Sequence, residues 1–296
     1  MINTKIVILI RREFWEHKTL MLYLPAAACG LFLVSVIGML FFSTASTAAI
    51  EVSISGSVFS LGIDKLSALS EAERMAVLSK VFMFSSYPFL LVSLVVALSY
   101  LLASMFNERK DGSILFWKSM PVSDGFTVFS KLVTGLFVIP MVYLTFCFVA
   151  QLLSLILVTS VFLSNDYAAW DMLWRPINPV AHMLLLFCYQ LLQSFWSAPW
   201  FGFALLISAW AKSSPVGWFI GIPLVVVILE RVYSPGEVFL VSEWLWAHSL
   251  PLLTMDGEGF DMKWLMVDPA GLLEGMLVGI LFIGGAVWSR GKYNEI

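Results

Sequence analysis

The run from Val81 to Phe106 reads VFMFSSYPFLLVSLVVALSYLLASMF, and no acidic or basic residue interrupts it. An α-helix needs about 20 apolar residues to cross roughly 30 Å of hydrocarbon. The apolar residues are continuous and do not alternate with polar ones, so the pattern is not that of a barrel strand. The run therefore predicts a membrane-spanning helix.

Five more apolar runs surround this one, which predicts six spans in total. They cover residues 20–42, 132–163, 180–210, 215–230 and 269–288. The two long runs have room to kink, at Pro140 and Pro199. Composition agrees, since 60% of the residues are hydrophobic and 12% are charged, against about 25% charged in soluble domains. We predict an all-α, polytopic integral membrane protein with a single membrane domain over residues 1–296.

The distribution of basic residues predicts the orientation of the chain. With the N-terminus inside, eleven basic residues fall in inner segments and six in outer ones. The inner ones are Lys5, Arg11, Arg12, Lys18, Arg109, Lys110, Lys118, Lys131, Lys212, Arg290 and Lys292. Because short cytoplasmic loops carry an excess of Lys and Arg, both termini are predicted to lie inside.

The inner loop that follows the first quoted run is NERKDGSILFWKSMPVSDG, Asn107 to Gly125. Asp111 and Gly112 break the preceding helix, and Pro121 disfavours helix at the residue before it. The intervening ILFWKSM therefore predicts a two-turn helix, whose apolar residues point in nearly every direction at 100° per residue. A helix that is apolar all round is buried. It either docks on a partner protein or packs among the chain's own helices.

This loop resembles the segment between the second and third helices of type-2 ABC exporter permeases. The shared features are Glu108, Arg109, Asp111, Gly112, Pro121, Val122, Ser123 and Lys131. The resemblance implies a coupling helix that sits in a groove of a separate ATPase. It assigns ATPase coupling to Glu108, Arg109, Asp111, Gly112, Ile114, Leu115, Phe116, Trp117, Met120 and Pro121.

The resemblance also implies the partners and the direction of transport. The sequence contains no G-x-x-x-x-G-K-[ST] phosphate loop, so ATP and Mg²⁺ would bind to the partner chain. The expected assembly has two ATPases and two permeases, the second permease being identical or paralogous. It exports its substrate across a bacterial inner membrane. The chain is also expected to contact membrane lipid, and no nucleic-acid partner is expected.

Residues 1–19 are similar to the interfacial helix that precedes the first span in that family. Ile6, Ile10, Phe14 and Trp15 can share one side of a helix. Nearby basic side chains can reach lipid phosphates or a partner. The alternative is a generic basic anchor that only sets topology.

Polar residues within the spans are candidates for a translocation path. They are Gln151 in the third run and Gln190, Gln193 and Ser197 in the fourth. The alternative is that they form hydrogen bonds between helices. Because no charge lies clearly at mid-depth, the path would suit an apolar or amphipathic substrate.

Enzymatic interpretations find little support in the sequence. His17, His182 and His248 are the only histidines, and no H-E-x-x-H or G-x-S-x-G motif occurs. We therefore predict a transport subunit that is not itself an enzyme and holds no cofactor. The alternatives are a non-ABC carrier or a scaffold and, less favoured, a membrane-embedded enzyme.

Overall fold

The computed structural model describes residues 2–45, 51–54, 57–60, 63–119, 122–233, 240–249, 255–256, 259–260 and 268–292. These residues form helices and turns apart from two short hairpins. The Met120 and Pro121 assignments made above lie outside the described residues.

The N-terminal part begins with α1, Ile2–Glu16, followed by a π-helical turn, Thr19–Tyr23. Helix α2, Leu24–Ala45, is the first long apolar helix. Next come the antiparallel strands β1 (Glu51–Ile54) and β2 (Ser57–Ser60), then α3 (Ile63–Ala68).

Helix α4, Glu71–Lys110, contains the apolar run Val81 to Phe106 and extends beyond it at both ends, to a total of 40 residues. Ser70 caps it, because its hydroxyl accepts from the Glu73 backbone N–H while the Glu73 carboxylate accepts from Ser70. This reciprocal pair satisfies two donors that a helix start leaves free. The helix therefore begins well before its apolar run.

The middle of the chain contains the loop from Asn107 to Gly125 and the third long helix. Helix α5, Ile114–Ser119, is followed by α6, Asp124–Val133. A π-helical turn, Thr134–Val138, joins α6 to α7, Ile139–Ser164. Together α6, the turn and α7 form one apolar unit of 41 residues.

The C-terminal part contains the bent helices. After a π-helical turn, Trp170–Trp174, come α8 (Arg175–Ile177), α9 (Pro179–Trp196) and α10 (Ala198–Trp210). Helices α11 (Pro215–Tyr233) and α12 (Leu240–Ser249) follow. Strands β3 (Met255–Asp256) and β4 (Gly259–Phe260) pair before α13, Pro269–Lys292.

Within the described residues, five helical units are long and apolar enough to cross a membrane, or six if the bent pair around Ser197 counts as one span. This confirms the prediction of a helical chain with several helices long and apolar enough to span a membrane. The prediction of a single helix over 180–210 needs correction, because the chain bends by 57° there. Ser197 has φ −85° and ψ 11°, and Pro199 follows at the start of α10. A proline fits the first turn of a new helix but not a helix interior.

The core forms where α4, α10 and α13 pack together. Tyr100 and Leu101 of α4 are buried against Leu205 of α10. Helices α10 and α13 approach closely at Gly202 and Gly279, where a Cβ on Gly202 would lie 2.6 Å from the Gly279 carbonyl oxygen. Small residues permit such close approach of two apolar helices.

Candidate coupling site and polar groove

Helix α5 stands apart from the helices before and after it, as the sequence predicts. Gly112 has φ +69°, a left-handed conformation that glycine adopts without strain. Beyond α5, the Ser123 hydroxyl accepts from the Phe126 N–H and caps α6. These two features fix α5 as a separate short helix.

The two sides of α5 differ in exposure. Leu115 is 69% exposed and Phe116 is 59% exposed. On the other side, the Arg12 guanidinium of α1 lies 3.3 Å from the centroid of the Trp117 ring. Lys118 Nζ donates to the carbonyl oxygen of Arg290 in α13, at 3.1 Å. The helix is therefore held to the bundle by one side and presents apolar side chains on the other.

Glu108 and Arg109 face the bundle and not the exposed side of the loop. Arg109 donates to the carbonyl oxygens of Ser208 and Ala211, at 2.6 and 2.8 Å, and so ties the end of α4 to the end of α10. Glu108 is 5% exposed and is enclosed by cations. Asp111 and Gly112 are exposed at the break. Among the predicted coupling residues, Leu115 and Phe116 are thus exposed on α5, Ile114 and Trp117 are half-buried, and the buried Glu108 and half-buried Arg109 face the bundle.

A buried cluster of charges surrounds Glu108. Lys131 Nζ lies 2.9 Å from Glu108 Oε1 and 3.0 Å from Glu13 Oε1. Lys131 forms an ion pair with Glu108 and donates a hydrogen bond to Glu13. Tyr100 donates to Glu13 Oε2 at 2.8 Å. The cluster therefore joins α1, α4 and α6.

Arg290 extends the charge cluster to the C-terminal helix. It is 3% exposed, and its Nη1 donates to Glu108 Oε2 at 2.8 Å. Its Nε donates to Asp124 Oδ1 at 3.0 Å. With Arg12, which lies 3.8 Å from Glu108, three cations face three carboxylates. Burial of charge is tolerated only with such pairing.

Sequence reasoning placed Lys131, Arg290 and Arg12 as inner basic residues but did not single out Glu13. A signal was present: Glu13 shares a helical face with Ile10, Phe14 and His17, at spacings of three and four residues. An acid within such a stripe indicates a buried partner. The structure places Phe14 against the core and leaves Trp15 62% exposed, so only part of the predicted apolar side of α1 packs inward.

Gln151 forms hydrogen bonds between helices. Its Nε2 donates to the Phe82 carbonyl oxygen, Ser85 Oγ and Ser86 Oγ, at 3.0, 3.0 and 2.8 Å. Ser86 Oγ also lies 3.3 Å from His182 Nε2 of α9. Gln151 thus links α7 to α4, and its amide nitrogen is engaged by protein groups.

Replacing Gln151 with Leu is expected to destabilise the fold by about 0.6 kcal/mol, the average for such bonds in membranes. The check is a comparison of unfolding free energies in detergent. Thr145→Val on the same helix is the control, because the Thr145 hydroxyl is exposed and donates only to Met141 of its own helix. A larger loss in the Thr145 variant would contradict this role for Gln151.

The other three candidate residues of the translocation path, Gln190, Gln193 and Ser197, lie along a groove between α4 and the bent pair of helices α9 and α10. Gln193 Nε2 donates to Ser197 Oγ at 2.7 Å. Gln190 and Gln193 line a narrow cavity of about 10 Å³ with Tyr87, Leu90, Leu91, Leu94 and Tyr189. A second, wider crevice of about 170 Å³ begins at Leu94 and includes Ser197. Leu94 borders both spaces, so they follow one side of α4.

Comparison of the chain with family models, with curated proteins and with solved structures gives no match. The features that bear on function are therefore the geometry of α5, the charge cluster and the groove.

Proposed function

We propose that the chain is the membrane-spanning permease subunit of an ATP-driven exporter of the type-2 ABC class. A separate ATPase binds α5, and its movement is passed to the helices that surround the translocation path. The observation that carries the proposal is the arrangement of α5, with Leu115 and Phe116 exposed on one side and Trp117 and Lys118 held by the bundle on the other.

The exposed side of α5 suits a protein groove. Buried apolar side chains of the size of leucine and phenylalanine contribute about 1.5–3 kcal/mol each when they leave water. No residue of α5 is buried within the described part of the chain. This supports docking on a partner over packing among the chain's own helices.

The other side of α5 contacts helices of the bundle and can therefore transmit a movement of α5 to them. Trp117 contacts Arg12 of α1, and Lys118 contacts the end of α13. Beneath them, the charge cluster joins α1, α4, α6 and α13 through Glu108 and Lys131. In the proposed mechanism, this cluster passes a displacement of α5 to the ends of these four helices.

Orientation, assembly and localisation belong to the same proposal. The excess of basic residues in the segments at the α1 end supports a cytoplasmic location for α5. One α5 helix per chain and ATPases that act in pairs support two permeases with two ATPases. The bacterial inner membrane is the proposed location.

The test is the double substitution of Leu115 and Phe116 with Asp in the full chain. We expect the unaltered protein to co-purify with a chain that carries a phosphate loop and hydrolyses ATP. The double variant should weaken that association by roughly a hundredfold or more, because two apolar contacts are lost and two charges would be buried. Membrane insertion and thermal stability should be unchanged, since both side chains are exposed.

Leu115→Met with Phe116→Tyr is the matched control, because it changes the same positions and keeps most of the apolar surface. It should retain the ATPase. An unaltered protein that carries no such ATPase, or an Asp variant that keeps it, would overturn the proposal.

A further inference from the structure

The narrow cavity between α4 and α9 has room for one very small molecule. Its volume is about 10 Å³, which is close to the space that a single buried water molecule needs. Leu90, Leu91 and Leu94 of α4 form much of its wall, and Gln190 of α9 also lines it. A larger ligand would not fit unless the wall moved, so size alone restricts the occupant.

The side-chain amide of Gln190 has no protein partner. The residue is 5% exposed, and its amide forms no hydrogen bond with another residue that the structure describes. Neither amide atom is sealed, so both keep surface that a water molecule can touch. Because the residue is otherwise enclosed and lines the cavity, that surface of the amide faces the cavity. Gln151, by contrast, has its amide nitrogen bonded to three protein groups.

The chemistry of the lining selects an uncharged partner that both donates and accepts hydrogen bonds. A glutamine amide carries N–H donors and a carbonyl acceptor, and leaving them unpartnered in an apolar interior is costly. Among the described residues, no acidic or basic side chain lines the cavity. An ion there would lose its hydration without gaining a counter-charge, and an alkyl group would leave the amide unsatisfied. A water molecule has the right size and both hydrogen-bonding functions.

Tyr87 adds a polar group from the opposite helix. It belongs to α4 and lines the same cavity, and its hydroxyl forms no hydrogen bond with another described residue. A buried water typically makes about three hydrogen bonds, with a range of two to four. The Gln190 amide and the Tyr87 hydroxyl can together supply them.

We infer that one water molecule binds in this cavity and bridges the Gln190 amide of α9 to the Tyr87 hydroxyl of α4. The inference goes beyond the proposed transport function and does not depend on it. The water joins the two sides of the groove through a molecule that can reorient, whereas Gln151 joins α7 to α4 by direct hydrogen bonds. A small shift of α9 along α4 therefore leaves both polar groups satisfied.

The first measurement is a structure of the full chain in phosphatidylcholine nanodiscs, determined at a resolution that shows ordered water. We expect one density peak in this cavity, at about 2.7–3.1 Å from the Gln190 amide and from the Tyr87 hydroxyl oxygen. Gln190→Met keeps the length of the side chain and removes both hydrogen-bonding groups, so the peak should be lost. Leu184→Met is the matched control, because it introduces the same residue in the same helix where the side chain is 61% exposed. The control should keep the peak.

A double-mutant cycle with Gln190→Met and Tyr87→Phe is the second measurement. If water couples the two side chains, the unfolding equilibrium constant of the double variant should depart from the product of the single effects by roughly threefold to tenfold. A cavity without a peak, a peak that remains in Gln190→Met, or additive effects in the cycle would each overturn the inference. If Gln190→Met does not fold, the peak in the unaltered protein still decides.

Discussion

Replacing Lys131 with Met is expected to destabilise the protein by about 3–5 kcal/mol, the cost of breaking a buried ion pair by removing one partner. Lys131 Nζ sits between Glu13 and Glu108, 3.0 and 2.9 Å from their nearer oxygens. Without it, Glu13 keeps the hydrogen bond from Tyr100, and Glu108 keeps Arg290 at 2.8 Å and Arg12 at 3.8 Å, but no cation lies between the two buried carboxylates. The check is the free energy of unfolding in mixed micelles, with a fall in Tm of about 10 °C.

Two further variants separate charge from packing in this experiment. Adding Glu13→Gln to Lys131→Met removes one of the opposed charges and keeps an acceptor for the Tyr100 hydroxyl, so it should recover a large part of the lost stability. A double-mutant cycle gives the coupling energy. Lys110→Met, at the exposed end of α4, should change stability by less than about 0.5 kcal/mol. If Lys131→Met lowered the free energy of unfolding as little as Lys110→Met, the charge cluster would not be what holds the four helices together.

The charge cluster also shows what the sequence could and could not predict. Each apolar run is long enough to specify a span by itself, because hydrophobic length is a local property. Pairing of Glu13 with Lys131 and of Glu108 with Arg290 brings together residues 118 and 182 positions apart. No local sequence pattern indicates which of these distant charged residues will form ion pairs. The pattern of the loop predicts Glu108 as part of the coupling surface, but its side chain is buried and faces inward.

The bend at Ser197 was predictable only in part. The sequence places Pro199 inside a long apolar run and so predicts a kink. The sequence does not predict that the run divides into two helices with a bend of 57° between them. Helix α10 also packs against α13 through glycines, and those contacts join residues some 70 to 80 positions apart along the chain.

Replacing Gly279 with Leu is expected to separate α10 from α13 and to cost about 3 kcal/mol, at the upper end of the usual range for overpacking. A Cβ at this position would lie 2.8 Å from the Ala198 carbonyl oxygen and 2.9 Å from its carbon. These are backbone atoms, so no rotamer change relieves the clash and one helix must move. Gly275, one turn earlier on the same face, is similarly close to the His248 ring. The measurement is the unfolding free energy in detergent.

Gly284→Leu is the matched control, because it makes the same change in the same helix at a position where a Cβ meets nothing within 4 Å. Replacing glycine there reduces the freedom of the unfolded chain, which favours the fold by up to about 1 kcal/mol. The two substitutions should therefore shift stability in opposite directions. A Gly279 variant as stable as the Gly284 variant would mean that the close approach of α10 and α13 does not contribute to the fold.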